Sequence, residues 1–338
     1  MLAKVAVVGA GSWGTVFAAL TSRAVPTVLW ARGQHLAHEI TTGHVNSVYL
    51  PQFALPEGLR ATASLPEAVE GADLVVMAVP SHGFRDVLAR AEPWIGAGVP
   101  VLSLAKGLEQ GSLKRMTEVV AEVAPGRPAG VLTGPNLAPE IMAGHPAASV
   151  VAMDDAGVAT ELQQLLCTDA LRVYTNPDVA GCELAGALKN VMAIACGMAD
   201  GMGFGDNTRA ALITRGLAEL SRLGMALGGH PSTFSGLAGM GDLVVTCISA
   251  KSRNRHVGQE LGKGRTIQEI LAQTNMVAEG VKTSRAVLDL AATVDLEMPI
   301  AEQVVAVLYE GKRAVDVIVT LMQREAKPEL EVPAIPSA

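Results

Sequence analysis

The sequence has 338 residues, 49% of them hydrophobic and only 3% aromatic, a length that suits two domains with a core of Ala, Val, Leu, Ile and Met. A formal net charge of −7 argues against nucleic acid and anionic membrane surfaces as partners, so a phosphorylated substrate must meet a local basic cluster. The chain enters a strand at Lys4 with no cationic leader, and no uninterrupted apolar stretch approaches a bilayer's thickness, so a cytoplasmic protein without membrane insertion is expected. Cys167, Cys182, Cys196 and Cys247 are far apart in sequence, with no Cys-x-x-Cys pair and no histidine at ligand spacing. They read as small core residues in a reducing compartment, and no metal is expected.

From the N-terminus, Lys4-Val-Ala-Val-Val-Gly-Ala-Gly-Ser-Trp-Gly14 carries an apolar strand straight into Gly9, Gly11 and Gly14. Gly9 permits the tight strand-to-helix turn, Gly11 lets backbone approach a pyrophosphate, and Gly14 lets the next helix pack on the sheet. The spacing alone is weak in a chain with 35 glycines. Its place between a strand and a helical segment, residues 12–23, makes it a dinucleotide site. The second strand ends in Trp30-Ala-Arg32, and no carboxylate appears before Glu39. NAD sites usually place Asp or Glu there against the ribose 2′-hydroxyl. Arg32 suits a 2′-phosphate instead, unless it is a solvated surface arginine. NADP(H) is expected, with NAD(H) left open.

Strands are expected at 4–8, 27–30, 73–78, 99–104, 130–133 and 148–153, each short and apolar on both faces, with helices between most of them, as a parallel sheet requires. The fold class is α/β: an N-terminal Rossmann-type doubly wound parallel sheet followed by an all-helical C-terminal domain. Ligands on such sheets sit beyond the carboxyl ends of the strands. Those ends carry Gly9-Ala-Gly11, Arg32, Val79-Pro80-Ser81, Lys106-Gly107 and Gly134-Pro135-Asn136. Turn chemistry explains the Gly and Pro residues. It does not easily explain Lys106, just past the apolar run Val101-Leu-Ser-Leu-Ala105.

After Asn176-Pro177-Asp178 the pattern changes to long helices. This puts a dinucleotide-binding domain at 1–178 and a helical substrate and catalytic domain at 179–326, with the proline-rich tail 327–338 expected to be disordered. A helix over 181–199 has Leu184, Leu188, Val191, Met192 and Ala195 on its apolar side. A second starts with Asp206 or Asn207 as N-cap, carries Ile213, Leu217, Leu220 and Leu227, and ends at Gly228-Gly229. Others cover 266–272, 280–294 and 300–309. These helices are apolar over much of their surface, which suggests a homodimer.

On the 181–199 helix, Lys189 and Asn190 share a face with Ala185, Gly186, Ala193 and Gly197, all small. Glycine inside a helix costs about 1 kcal/mol relative to Ala, so Gly186 and Gly197 suggest close approach by a helix or a ligand. Partial burial lowers a lysine pKa toward the working pH, making Lys189 a candidate general acid. The other reading, a solvated helix lysine, stays open on this helix alone. Further on, Gly236-Leu-Ala-Gly-Met-Gly-Asp-Leu-Val-Val-Thr-Cys-Ile-Ser249 holds Asp242, with Thr246 one helical turn later. Asp242 is either an N-cap or a group that orients a catalytic lysine. Lys251-Ser-Arg-Asn-Arg-His256 follows, the densest basic run in an acidic chain. Ser252, Arg253 and Asn254 offer donors suited to a phosphate dianion; the alternative is a solvated loop.

Taken together, Gly9-Ala-Gly-Ser-Trp-Gly-Thr15, Gly134-Pro-Asn136, Gly186-Ala-Leu-Lys-Asn190, the segment from Asn207 to Leu217, Gly236-Leu-Ala-Gly-Met-Gly-Asp-Leu243 and Ser252-Arg-Asn254 resemble the motifs of the bacterial-type NAD(P)-dependent glycerol-3-phosphate dehydrogenases. The resemblance runs from Lys4 to Met322 with the motifs in order. It implies that Lys189 donates or accepts the proton, and that Lys106, Gly134, Asp242, Ser252, Arg253 and Asn254 bind or orient the substrate. Asn136 and Thr246 are further substrate-binding candidates, and Lys106, Asn190 and Asp242 are expected to assist catalysis. It places cofactor contacts on Ser12, Trp13, Arg32, Lys106, Ala138, Arg253, Val277 and Glu279, beside the glycines. Pro139 departs from the family pattern and puts the Ala138 contact in doubt.

The implied reaction is reversible reduction of dihydroxyacetone phosphate to sn-glycerol 3-phosphate, which feeds glycerophospholipid synthesis. Two rivals remain. A hydroxyacid or hydroxyacyl dehydrogenase needs a carboxylate or thioester anchor, and the hydroxyacyl enzymes use a His-Glu pair that none of the seven histidines suggests. A non-catalytic dinucleotide sensor has no need of Lys189, Asn190, Asp242 and Arg253 in glycine-rich settings.

Overall fold

Short runs of β-branched residues, alternating with helices, build a sheet in the first half of the chain. The computed structural model describes residues 2–273, 278–325 and 328. Val277 and, apart from Pro328, the tail 327–338 lie outside the described residues. The strands are β1 (Val5–Val8), β2 (Thr27–Trp30), β3 (Val45–Asn46), β4 (Leu50–Ala54), β5 (Arg60–Thr62), β6 (Leu74–Met77), β7 (Val101–Ser103), β8 (Ala129–Thr133), β9 (Ala147–Met153) and β10 (Leu171–Asn176). Eight form one sheet in the order β10-β9-β8-β7-β6-β1-β2-β5, and β3 and β4 make a separate antiparallel pair. The central strands β1 and β6 are buried at every residue, which explains their unbroken apolar runs.

The sheet is not wholly parallel, as the alternating pattern implied, because β8 and β9 pair antiparallel. The connection between them holds only the five-residue helix Ala138–Met142, too short to carry the chain back along the sheet for a parallel crossover. Two sheet strands escaped the sequence reading because they are edges. In β10 buried Leu171 and Val173 alternate with exposed Arg172 and Tyr174, and β5 is only three residues long.

After Asn176 every regular element among the described residues is a helix. The core helix Val179–Gly201 packs against Asp206–Ala226, Asp242–Ile248, Arg253–Gly262, Glu279–Ala292 and Pro299–Tyr309. At 23 residues it is long and apolar enough by composition to cross a membrane, but charged residues interrupt it and 94% of its most apolar window is buried inside the protein. It also carries Glu183, Lys189 and Asn190 in its buried set. The helix Asp206–Ala226 is capped by Gly205, not by Asp206 or Asn207, and Asp206 instead pairs with Arg209 within the first turn. Cys182, Cys196 and Cys247 are core residues as expected, whereas Cys167 is exposed, just beyond the helix Ala156–Leu166.

Candidate active site

The carboxyl ends of β1, β2, β6, β7 and β8 point to one edge of the sheet, and the core helix lies against that edge. At the β1 turn Gly9 has φ +124°, where a Cβ would sit 2.6 Å from the Ala78 carbonyl oxygen, and a Cβ on Gly14 would sit 2.0 Å from the Gly9 carbonyl oxygen. A Cβ on Gly11 would meet nothing within 4 Å. Gly9 and Gly14 therefore compact the turn, while Gly11 opens onto free space at the N-terminus of the helix Ser12–Thr21, a setting that fits a pyrophosphate. Trp13 Nε1 is buried without a hydrogen-bond partner among the described residues. Arg32, exposed beyond β2, has no ion-pair partner among the described residues. Asn46, which the sequence did not flag, donates to the Ala10 carbonyl (3.0 Å) and Thr15 Oγ1 (2.8 Å) and accepts from Tyr49 N (3.0 Å). It locks the β3–β4 hairpin beside the glycine turn, and Ser12 Oγ donates to the Tyr49 carbonyl at 3.2 Å.

Two lysines converge on one carboxylate. Lys106, from the β7 end, donates through Nζ to Asp242 Oδ2 (2.6 Å) and to the Gly134 carbonyl (2.9 Å). Lys189, from the core helix, meets Asp242 Oδ1 at 2.9 Å and donates to Thr246 Oγ1 at 2.6 Å. Asp242 is 1% exposed and Lys189 5%, so the lysine is fully rather than partly buried. Thr246 Oγ1 in turn donates to the Asp242 carbonyl at 2.6 Å. Burial pushes the Lys106 ammonium down to about 8; Asp242 pulls it back up, and Lys189 pushes it down further. Burial also raises the Glu279 carboxyl, against the pull of Arg253 and the two lysines. Asp242 opens the helix Asp242–Ile248 without capping it through its side chain, so of the two sequence readings the lysine-orienting one matches its contacts.

An amide chain braces the pair. Asn190 Nδ2 donates to the Lys106 carbonyl (3.1 Å), Asn254 Nδ2 donates to Asn190 Oδ1 (2.9 Å), and Gly280 N donates to Asn254 Oδ1 (3.0 Å). Each amide keeps one N–H uncommitted. Gly186 faces Thr133 Oγ1 and the Lys106 stem, as a site-facing glycine should, whereas Gly197 faces the Arg255 carbonyl of the neighbouring helix and no ligand.

The basic run is a helix start, not a loop. Ser252 caps Arg253–Gly262 by accepting from Arg255 N. Lys251 pairs with Glu140 (2.8 Å) and Arg255 with Asp200 (2.6 Å), which leaves Arg253 exposed and without an ion-pair partner among the described residues. At the end of β8, Gly134 has φ +117°. Asn136 accepts from Ser149 Oγ at 2.6 Å, while its own Nδ2 is buried and unpartnered among the described residues. Ala138 begins its helix with Pro139 in the first turn, where a missing N–H disrupts no helical hydrogen bond.

Residues 4–159 match the family model for the NAD-dependent glycerol-3-phosphate dehydrogenase N-terminus, and residues 178–319 match that for its C-terminus. A glycerol-3-phosphate dehydrogenase [NAD(P)+] of Sphingopyxis alaskensis is 55% identical over 97% of this chain and 99% of its own length. One from Mycobacterium avium is 52% identical over 91% of each chain. The crystal structure of the Coxiella burnetii glycerol-3-phosphate dehydrogenase superposes with a TM-score of 0.92 at 38% identity, covering 95% of this chain and 99% of that one.

Proposed function

The chain belongs to the NAD(P)-dependent glycerol-3-phosphate dehydrogenase family, and from that premise we propose how its own residues carry out the reaction. The reaction is the reversible NAD(P)H-dependent reduction of dihydroxyacetone phosphate to sn-glycerol 3-phosphate. When bound, the reduced nicotinamide supplies a hydride to C2 of the substrate. The observation that carries the reading is Asp242 held between the ammonium groups of Lys106 and Lys189, where the strand ends meet the core helix.

Lys189 Nζ delivers the proton to the oxygen on C2 as negative charge develops there, and takes it back in the oxidation direction. Asp242 Oδ1 and Thr246 Oγ1 hold that ammonium in a single orientation. Lys106, with a carbonyl and a carboxylate as partners, polarises the substrate carbonyl, and Asn190 positions it through its second N–H. Arg253 takes the phosphate with Asn254 and Ser252, and Gly134 and Asn136 line the opposite wall. Nucleotide contacts fall to Gly9, Gly11, Ser12, Trp13, Gly14, Arg32, Lys106, Ala138, Arg253 and Glu279; Val277 completes that set from outside the described residues. Arg32 favours NADP(H) over NAD(H).

The dinucleotide domain is assigned to 1–178 and the catalytic domain to 179–326, in a cytoplasmic homodimer that supplies glycerophospholipid synthesis. A hydroxyacyl dehydrogenase reading loses support, because no histidine forms a salt bridge with a carboxylate among the described residues. The deciding assay follows NADPH oxidation on adding dihydroxyacetone phosphate beside a panel of 2-keto acids. Turnover confined to the phosphorylated ketone is expected. Faster turnover of any 2-keto acid rejects the assignment, and no turnover of any substrate supports a sensor.

A further inference from the structure

Building on the phosphate role proposed for Arg253, we infer that Asp200 is a positioning residue for that arginine. Asp200 lies in the last turn of the core helix with its side chain 6% exposed. It accepts from Arg255 Nε at 2.6 Å, and from Arg209 Nε at 3.1 Å and Nη2 at 2.8 Å. One buried carboxylate thereby joins the core helix to Asp206–Ala226 and Arg253–Gly262. Arg209 belongs to the Asn207–Leu217 segment that the family resemblance singles out, yet no step of the reaction uses it. Holding Asp200 gives it a task.

The reason such a lock is needed lies in the seam between the core helix and Arg253–Gly262. A Cβ on Gly197, Gly201, Gly258 or Gly262 would fall between 2.0 and 2.3 Å from a backbone oxygen of the facing helix. Side-chain ridges seated in grooves normally fix how far one helix slides along another. A seam of glycines brings the backbones together without that registration. Polar contacts from the first turn of Arg253–Gly262 supply it, reaching two points well apart on the core helix: Asn254 to Asn190, and Arg255 to Asp200. Arg255 sits two residues past Arg253 in the same first turn. Loss of the Asp200 anchor lets that turn shift and carries the Arg253 guanidinium away from the substrate phosphate, while Lys189 stays anchored on Asp242. Charge-assisted bonds to a buried carboxylate are strong enough to set such a position, and small misplacements at a site are amplified in rate and affinity.

The test is a double-mutant cycle on the intact enzyme, with KM for dihydroxyacetone phosphate and kcat read separately. Asp200→Asn is expected to raise KM about tenfold or more with kcat changed less than about threefold, and to change KM less than about twofold in an Arg253→Ala background. Arg255→Lys, which keeps the charge but loses the fork of donors, goes through the same cycle. It is expected to give a smaller rise with the same non-additivity, and it serves where Asp200→Asn fails to fold. Equal losses in both backgrounds, or an unchanged KM in Asp200→Asn, overturn the positioning role. An unchanged KM in Arg253→Ala alone overturns the phosphate reading on which the inference rests.

Discussion

Two glycines, one in each half of the molecule, do opposite work. In the sheet half Gly11 faces open space, so its missing side chain leaves room for a ligand. In the helical half Gly258 lies with its Cβ position 2.1 Å from the Ile194 carbonyl oxygen, so its missing side chain leaves room for another helix. The lysines of the site follow the same division. Lys106 arrives on a strand end and is braced by backbone carbonyl and carboxylate, whereas Lys189 arrives from the interior of a buried helix whose placement depends on the glycine seam. Gly11 thus makes room for a ligand and Gly258 for a neighbouring helix, so a substitution at the first should cost binding and at the second stability.

The largest expected effect falls on Lys189. Lys189→Met removes the proposed proton donor and leaves an apolar chain of similar length. General acid catalysis supplies about 10²–10⁴-fold, so kcat should fall by at least that factor while NADPH still binds. Near-normal kcat in single-turnover measurements would show that another group moves the proton.

Next in size comes the contrast between glycines. Gly258→Ala forces the two seam helices apart, and overpacking of this kind costs about 1–3 kcal/mol, which denaturant titration would register as a lower midpoint. Gly11→Ala meets no atom, and its φ of −70° suits any residue. It should leave stability unchanged and weaken nucleotide binding, measured by NADPH fluorescence. If Gly11→Ala destabilised the fold while Gly258→Ala did not, the division of labour would be reversed.

The acid–base behaviour of the site provides a third test. With its ammonium at about 8, Lys106 is charged below that pH and neutral above it. If its charge polarises the substrate, kcat/KM for reduction stays level up to about pH 8 and then falls about tenfold per unit. Lys106→Arg keeps its charge across that range, so the limb should move out of it; an unmoved limb assigns the titration to a different group. The linked stability change has a definite sign. The native pKa is below the ordinary lysine value of 10.5, so between about 8 and 10.5 the unfolded chain binds more protons and this group's contribution to stability rises with pH.

Sequence carried the glycine turn and Lys189 because each sits in a local pattern: a strand before three glycines, and a lysine among small residues on a helix. Of the pairings across the chain, only that of Asp242 with a lysine was legible, as one of two readings. Nothing near Lys106 announces Asp242, 136 residues away, so the sharing of one carboxylate by two lysines emerged only from the fold. The basic run looked like one cluster, yet the structure divides it by partner, with Lys251 on Glu140, Arg255 on Asp200 and Arg253 without an ion-pair partner among the described residues. Asn46 gave no signal because a lone asparagine in a polar stretch suits any turn. Edge strand β10 was hidden by its exposed Arg172 and Tyr174, since the apolar-run criterion finds only strands covered on both faces.

The smallest expected effect concerns Arg32, the proposed contact for a 2′-phosphate. Arg32 stands beyond β2 in solvent, so its attraction to a 2′-phosphate is worth only about 1 kcal/mol at contact distance in water. Arg32→Glu replaces attraction with repulsion of similar size and adds an acceptor for the ribose 2′-hydroxyl of NADH. The ratio of kcat/KM for NADPH over NADH should fall by roughly thirtyfold at low ionic strength, about 2 kcal/mol. The fall should shrink as salt is added, because exposed charges are screened over about 8–10 Å near physiological ionic strength. No change in the ratio would mean that the 2′ position is read elsewhere. A change that ignored salt would point to a reshaped loop after β2 instead of a lost charge.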